Sequence, residues 1–463
     1  ERVARYALDD VAEVDALSRR LMGAPFALAG MAPRRYERLA SAGPAMGILE
    51  PMLVRAYLRE GAALPCQTTV DDTPGLHAGA TVELFAAGIA EQVVKADIAS
   101  LYPSLMRTYG IGPACDRRNV LLSIVDRLTD LRLDHKAAAK AATPGSPEAG
   151  HHDATQAAIK VLINSAYGYM GAGAMALFAD RRAADEVTRR GRAVLAQVVA
   201  ALRERGMALI EADTDGVYFA VPAGWTEAQE RALVADVAAT LPDGIRLEYE
   251  GRYRAMFSHE VKNYALLTYG GDLILRGVAL RSSRAEPFGV HFLRSALRCT
   301  LQGDIAGVHQ AFLQCVDMLR ERTLPVDDVA ARVRLTKTPE VYGARRDRLQ
   351  EAQYEALLAA GRTDWAVGER VRCYRARGGR FVWLPDENEE LGDSDSWEVP
   401  GRTGELPPYD VEHYLQVLVT TYAGRLRKAF APEVWEQLFR LDQQTGLFDL
   451  PIEEMQPLWI RCK

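Results

Sequence analysis

An acidic turn between two apolar segments is the feature that most restricts how this chain can fold. In LIEADTDGVYFAV, Leu209 to Val221, the carboxylates Asp213 and Asp215 stand one residue apart beside an Asp-Gly turn. The apolar and aromatic flanks predict a buried strand pair with both carboxylates at one end. Two ionised carboxylates so close repel each other, and one holds a proton unless a cation lies nearby. The segment is therefore either an ordinary hairpin with a polar turn or half of a metal site.

A second acidic strand end offers the other half. EQVVKADI, Glu91 to Ile98, predicts a strand that ends at Asp97, and the following SLYPS predicts a helix start. Carboxylates from neighbouring strand ends form an oxygen-only site suited to Mg²⁺, which also binds substrate phosphates. Two such ions about 3.5–4 Å apart can bind both the attacking and the leaving oxygen of a phosphoryl transfer. An isolated Asp-x-Asp-Gly is usually a plain turn, so a second line of support is needed.

A basic helical hairpin supplies that support. Residues 119–142 and 153–170 predict two helices, joined by a turn rich in proline and glycine. Cationic and polar residues recur at helical spacing on them: Arg132, Lys136, Lys160, Asn164 and Tyr167. Such a face beside a dicarboxylate site could hold a triphosphate, because negative charge shifts to the pyrophosphate as it leaves. A solvated basic face is the simpler alternative, but it does not require the Asn-Ser-x-Tyr-Gly continuation.

Composition sets wider limits. The 463 residues are 48% hydrophobic and 25% charged, which is typical of a globular protein of roughly two to four domains. No apolar run is long enough to span a bilayer, and the six cysteines form no CxxC pair, so we expect a cytoplasmic protein with reduced thiols. The net charge of −6 argues mildly against nucleic acid. An acidic segment at 384–398 offsets basic ones at 332–338 and 368–380, so charge alone decides nothing.

Three motifs in order, DIASLYPS, KVLINSAYG and ADTDG, closely resemble the palm and fingers motifs of family B DNA polymerases. Weaker companions are HAGATVE from His77, VKNY, LTKTPEVY, GERVRCY and YDVEHYLQ. The resemblance implies an α/β (α+β) right-hand fold with an antiparallel-sheet palm, helical-hairpin fingers and a mostly helical thumb. It also implies a remnant of an exonuclease domain at 1–16, an approach to the palm at 17–85, palm at 86–113 and 172–286, fingers at 114–171, and thumb at 287–463.

The resemblance also implies residue roles. Asp97 and Asp215 would hold two Mg²⁺ ions, or Mn²⁺ in their place, with help from the Ile98 carbonyl, and Asp213 would have a lesser catalytic role. Tyr102 would exclude a 2′-hydroxyl. The remaining nucleotide-binding residues would be Ser100, Leu101, Arg132, Lys136, Lys160, Asn164, Tyr167 and Gly168. The residues in contact with DNA would be Gly79, Thr214, Lys262, Tyr264 and Lys337.

The expected activity is template-directed DNA synthesis for replication or repair, by a monomer that binds primer–template DNA and dNTPs and no membrane. A catalytically inactive DNA-binding subunit is the main alternative, and a metal-dependent nuclease or phosphohydrolase is a third. Tyr6 and Asp10 match the last exonuclease motif, but the other acidic exonuclease motifs are missing, so we expect no 3′→5′ proofreading. Two departures are His77 in place of the usual Tyr and LRSSR, Leu280 to Arg284, in place of Arg-Arg-Asp. Frequent alanine and arginine suggest a bacterial source, with the protein at the nucleoid.

Overall fold

The computed structural model of the protein describes residues 2–32, 34–41, 43–66, 79, 82–281, 285–385, 406–442 and 449–462. Three features of the sequence lie outside the described residues: His77, the 282–284 part of LRSSR, and the acidic segment from 386 to 398. In the described part, no helix is both long and apolar enough to cross a membrane.

One large sheet positions the acidic residues. Its strands are β1 (Val82–Leu84), β2 (Gly88–Ile98), β3 (Ala208–Asp213), β4 (Gly216–Ala220), β5 (Leu247–Glu260), β6 (Asn263–Leu267) and β7 (Leu273–Arg276). They are ordered β1-β3-β4-β2-β5-β6-β7, and all neighbouring pairs are antiparallel. The predicted hairpin at Asp213–Gly216 and a second one that turns at Gly270–Gly271 therefore lie in the same antiparallel sheet.

The central strands are buried on both faces of the sheet because their apolar side chains point alternately to one face and to the other. Val94, Ala96 and Ile98 of β2 face one cluster, whereas Ala90 and Val93 belong to another. The first cluster also contains helices that cover this face, including α5 (Leu101–Tyr109), α8 (Arg181–Glu204) and α9 (Glu227–Ala238). The other face carries a smaller cluster built around Tyr218 and Met256. The sheet is thus covered by helices on one side, and this leaves the ends of its strands available for chemistry.

The two predicted finger helices are present as α6 (Val120–Ala141) and α7 (Pro147–Met170), packed against each other. Helix α7 begins at Pro147, so the prediction of a start at Asp153 was wrong. Ser146 provides the reason, because its hydroxyl accepts the Ala149 N–H at 3.1 Å and Pro147 fits the first turn. His151 and His152, interpreted from the sequence as loop residues, are consequently helical and contact His135 of α6.

Among the described residues, four α-helices precede the sheet: α1 (Arg2–Leu21), α2 (Gly23–Met31), α3 (Tyr36–Ser41) and α4 (Glu50–Arg59). The α-helices described after it are α10 (Pro287–Gln302), α11 (Ile305–Glu321), α12 (Val326–Val329), α13 (Pro339–Gly343), α14 (Ala352–Ala359), α15 (Val411–Val417) and α16 (Pro432–Leu438). A π-helical turn, Ala45–Leu49, leads into α4.

The C-terminal region is mostly helical, as expected, and it also contains a small sheet. The strands β8 (Ala331–Arg334), β9 (Arg370–Arg375) and β10 (Phe381–Leu384) form a second antiparallel sheet. The basic segments that build β8 and β9 alternate arginines with small or apolar residues, a period-2 pattern typical of strands. A last strand, β11 (Trp459–Ile460), returns to the large sheet and pairs in parallel with Ile89 and Ala90 of β2.

Candidate active site at the ends of the central strands

Asp97 and the Asp213–Asp215 turn lie side by side. Asp97 of β2 pairs with Gly216 of β4, and the Ile98 N–H donates to the Asp215 carbonyl at 2.7 Å. Gly216 allows this close approach, because a Cβ at position 216 would lie 2.7 Å from Asp97 Oδ1. A residue without a side chain is therefore needed at 216 for the two carboxylates to share one strand end.

The turn between these strands is strained. Thr214 has φ 54°, and the Asp215 N–H donates to the Asp213 carbonyl at 2.5 Å, which closes a three-residue turn. Ser100, directly before α5, has φ 50°. Residues other than glycine rarely adopt such angles, and they concentrate where function requires a fixed geometry. Both strained residues are close in sequence to the acidic positions, which makes this strand end a candidate site.

Electrostatics explain why the two carboxylates would accept a cation. Burial, together with the nearby charge of Asp215, raises the pKa of Asp97 to about 7, although Lys95 and Lys160 oppose the shift. Burial and the charge of Asp213 likewise raise the pKa of Asp215. Each ionised form is thus disfavoured by desolvation and by a like charge. A divalent ion held by Asp97, Asp215 and the Ile98 carbonyl would relieve both effects, and this oxygen donor set fits Mg²⁺.

Asp213 is engaged elsewhere. Its Oδ1 lies 3.0 Å from Lys262 Nζ and accepts the Thr214 hydroxyl at 3.0 Å. Among the described residues, no group of three or more His, Cys, Asp or Glu side chains is arranged to hold a metal ion. Asp97 and Asp215, the two carboxylates that the resemblance assigns to the metal ions, thus lie together, whereas Asp213, with its expected lesser role, pairs with a lysine.

Helix α5 carries Tyr102 to the same place. Its ring lies 4.4 Å from the ring of Tyr167 on α7, at an angle of 32° between the planes. Gly191 of α8 lies beside this ring, and a Cβ at position 191 would stand 3.4 Å from Tyr102 Cε1, an ordinary van der Waals distance. Burial and the neighbouring Tyr167 raise the pKa of Tyr102. The Leu101 side chain is buried in the core, so only its backbone could reach a ligand.

The cationic residues predicted on the finger helices α6 and α7 differ in their exposure and in their contacts. Arg132 Nη1 donates to the Ser100 hydroxyl at 3.3 Å, and its buried Nε has no acceptor among the described residues. Burial lowers the pKa of Arg132, opposed by the charge of Glu248. Lys160 is exposed, yet it is near enough for its charge to act on Asp97. The remaining predicted residues of the hairpin are exposed on its surface: Lys136, Asn164 and Gly168. Lys160 is thus the finger cation whose charge reaches Asp97, whereas Arg132 lies against Ser100.

The sequence prediction missed two charged neighbours. Glu211 is fully buried on β3, and its Oε1 accepts the Lys262 N–H at 2.7 Å. Lys95 forms an ion pair with Glu250, and its Nζ lies 5.6 Å from the ring centre of Tyr218. Each stands two positions before an aspartate on the same strand, and alternation in a strand places such pairs on one face. That spacing was the signal available in the sequence.

The predicted DNA-binding residues do not all lie near the carboxylates. Lys262 has φ 61° and reaches Asp213, and the Tyr264 hydroxyl lies 3.0 Å from that of Tyr218. The Gly79 carbonyl accepts Arg192 Nη1 at 2.9 Å. Lys337 belongs to the C-terminal region, where its Nζ is ion-paired with Glu351 and its side chain is only 22% exposed. The Lys337 ammonium group is therefore already engaged within the C-terminal region.

Comparison with known proteins gives a consistent result. A sequence profile of DNA polymerase family B matches residues 113–375, more than half of the chain. DNA polymerases from Thermococcus sp. (strain 9oN-7) and Pyrococcus glycovorans are 25% and 27% identical, over 96% and 80% of this chain. These alignments span 59% and 49% of the two relatives, so the chain corresponds to about half of their length.

A solved structure extends the comparison to the fold. The family B DNA polymerase from Pyrobaculum calidifontis superimposes with a TM-score of 0.66 and 21% sequence identity, covering 93% of this chain and 56% of that one. This likeness confirms the predicted fold class of helices combined with an antiparallel sheet. The profile match begins after Asp97, whereas the Thermococcus alignment covers nearly the whole chain.

Proposed function

Because this chain belongs to DNA polymerase family B, we propose that it extends a DNA primer by template-directed addition of deoxynucleotides. The primer 3′-hydroxyl attacks the α-phosphate of a dNTP, and pyrophosphate leaves. The observation that carries the proposal is the pairing of Asp97 with the Asp215 turn across β2 and β4. Two carboxylates with raised pKa values at one strand end need a cation, and nucleotidyl transfer supplies one with the dNTP.

The chain's own residues position the substrates. Asp97, Asp215 and the Ile98 carbonyl would hold Mg²⁺, or Mn²⁺ in its place, and when bound the metal neutralises phosphate charge. Arg132 and Lys160 approach from the fingers and bind the triphosphate, assisted by Lys136, Asn164 and the backbone at Ser100 and Leu101. No covalent intermediate on the protein is needed, because position and charge account for the rate.

The remaining contacts concern the sugar, the base pair and the DNA. Tyr102 packs beneath the deoxyribose and excludes a 2′-hydroxyl, supported by the ring of Tyr167 at 4.4 Å. Tyr167 and Gly168 adjoin the nascent base pair. Lys262 and Tyr264 approach the primer end, with Thr214 and Gly79 near the template and Lys337 near the duplex.

The alternatives explain fewer of these features. An inactive DNA-binding subunit would not need Asp97, Asp215, Arg132 and Lys160 to be retained together. A nuclease or phosphohydrolase could use both carboxylates, but it leaves unexplained why Tyr167 of the fingers packs on Tyr102. We propose no proofreading for these residues: Tyr6 and Asp10 occupy a single helix, α1, and the Tyr6 side chain is exposed.

We further propose that the protein acts as a monomer in replication or repair. A bacterial cytoplasm with association to the nucleoid stays a prediction from composition, and the relatives named above come from archaea.

Primer extension with Mg²⁺ and dNTPs tests the proposed function. We expect wild type to extend a labelled primer and Asp215→Asn to lose at least about a hundredfold in rate, because a charged metal ligand is removed. Asp236→Asn, an exposed aspartate paired with Arg205, is the matched control and should extend normally. Wild type that binds primer–template without extending it supports the inactive subunit, and primer shortening without dNTPs supports the nuclease.

A further inference from the structure

A groove beside α4 carries an unusual set of charges. It is an open depression of about 540 Å³ lined by Arg34, Arg55 and Arg59, together with Glu50, Pro51, Val54 and Leu58. We call it the arginine groove. All three arginines are exposed, and the Leu58 side chain is 63% exposed. The groove thus offers guanidinium groups around an accessible apolar surface.

These arginines are not neutralised within the described part of the chain. None of the three forms an ion pair there, in contrast to Arg205 and Arg231, which pair with Asp236 and Glu227. Arg55 and Arg59 are four positions apart on α4, so their charges repel each other. Three neighbouring guanidinium groups without an ionic partner among the described residues, in a chain of net charge −6, favour an anionic ligand.

The one carboxylate of the groove is already occupied. Glu50 Oε2 accepts the Tyr169 hydroxyl at 3.0 Å and the Leu177 N–H at 2.8 Å. The acid is thereby directed into the protein and away from a ligand. It also attaches α4 to α7, the helix that carries Tyr167 to the candidate active site.

This attachment fixes where the groove lies. Tyr169 follows Tyr167 by two positions, about 200° around an α-helix, so their side chains leave α7 on nearly opposite sides. Tyr167 contacts Tyr102, while Tyr169 contacts the wall of the arginine groove. The groove is therefore on the other side of α7 from the nucleotide site. Gly168, with no atom within 4 Å of a Cβ built there, and Met175, 76% exposed, leave the surface at the end of α7 open.

We propose that the arginine groove binds the unpaired template strand ahead of the nucleotide being copied, an inference that rests on the proposed function. Backbone phosphates pair with Arg34, Arg55 and Arg59, because a planar guanidinium matches phosphate oxygens. The exposed Leu58 surface contacts the bases without reading their sequence. A strand that leaves the active site around the end of α7 reaches this groove next.

Template overhang length provides the test. Binding of the full chain is measured by fluorescence anisotropy on primer–templates with a 5′ template overhang of either two or about twelve nucleotides, at several salt concentrations. We expect wild type to bind the longer overhang more tightly. The double variant Arg55→Gln/Arg59→Gln should abolish that gain in affinity. It should also reduce the slope of log K against log salt concentration on the longer overhang by about 1.4, because each lost contact to a single-strand phosphate contributes roughly 0.7. Arg205→Gln/Arg231→Gln makes the same charge change at the end of α8 and on α9, and should keep the gain.

Each outcome separates the two proposals. A wild-type gain with overhang that survives the Arg55/Arg59 change, or an equal loss on both DNAs, overturns the groove assignment. No gain in wild type also overturns it, and so does binding of an acidic peptide in preference to single-stranded DNA. Failure of wild type to extend the short-overhang primer counts against the proposed function instead. Thermal denaturation of each variant checks that the loss of affinity is not unfolding.

Discussion

Asp97 and Gly216 face each other across β2 and β4 so closely that a methyl group at 216 would lie 2.7 Å from Asp97 Oδ1. Gly216→Ala should therefore displace the Asp97 carboxylate and slow primer extension by about a hundredfold, the typical effect of misplacing a catalytic group by an ångström. The change is measured as the rate of single-nucleotide incorporation. Gly30→Ala, where a Cβ meets nothing within 4 Å, is the control and should extend at the wild-type rate.

The raised pKa of Asp97 predicts how stability depends on pH without divalent metal. Its folded pKa of about 7 exceeds that of an unfolded aspartate, so the folded state binds more protons between these values. This group's contribution therefore makes the fold less stable as the pH rises towards 7. Asp97→Asn should remove that contribution and raise the Tm at pH 8 in EDTA. Mg²⁺ should reduce the difference between the two proteins. The prediction would be contradicted if the difference in Tm between wild type and Asp97→Asn were the same at pH 5.5 and at pH 8.

Glu211 should act on the primer through Lys262. Its Oε1 is the acceptor for the Lys262 N–H, and Lys262 has a positive φ. Glu211→Ala leaves that N–H without its acceptor, at a cost of roughly 1–3 kcal/mol. We expect the KM for primer–template to rise severalfold, with a smaller change in kcat. Glu211→Gln keeps an acceptor oxygen and should restore the KM. Equal KM values for the Ala and Gln variants would show that Glu211 does not position Lys262.

Tyr102 should control the choice of sugar. Tyr102→Ala removes the ring beside Asp97 and should increase incorporation of ribonucleotides relative to deoxynucleotides, measured as a ratio of kcat/KM values. Tyr102→Phe keeps the ring against Tyr167 and should keep the discrimination. Unchanged discrimination in the Ala variant would remove the role in sugar selection.

The sequence was sufficient for features whose causes are local or periodic. The apolar runs of β2, β3 and β4, each bounded by acidic residues or glycine, predicted the strand ends that carry Asp97 and Asp215. The helical hairpin followed from its spacing and its Pro-Gly joint. The start of α7 was missed because Ser146 and Pro147 were interpreted as part of a turn, although the same residues cap a helix.

Other features depend on long-range contacts that no local pattern encodes. The pairing of Asp213 with Lys262 joins residues on β3 and beyond β5, and it directs this carboxylate to a lysine that no local pattern identified as its partner. The arginine groove depends on Glu50 bonding to Tyr169, far along the chain. Strand alternation could have identified Lys95 and Glu211, since each stands two positions before an aspartate, but their partners Glu250 and Lys262 required the sheet order.

Strand β2, which carries Asp97, is completed by a segment from the opposite end of the sequence. Ile89 donates its N–H to the Leu458 carbonyl at 3.0 Å, and β11 pairs alongside it. A ribosome releases Asp97 long before it has synthesised Trp459, so a growing chain holds this strand with one neighbour missing. Contacts of such sequence separation form late and slowly. Completion of β2 must therefore wait for residue 459, and a nascent chain stalled before that residue should still expose the Gly88 end of β2 to chaperones.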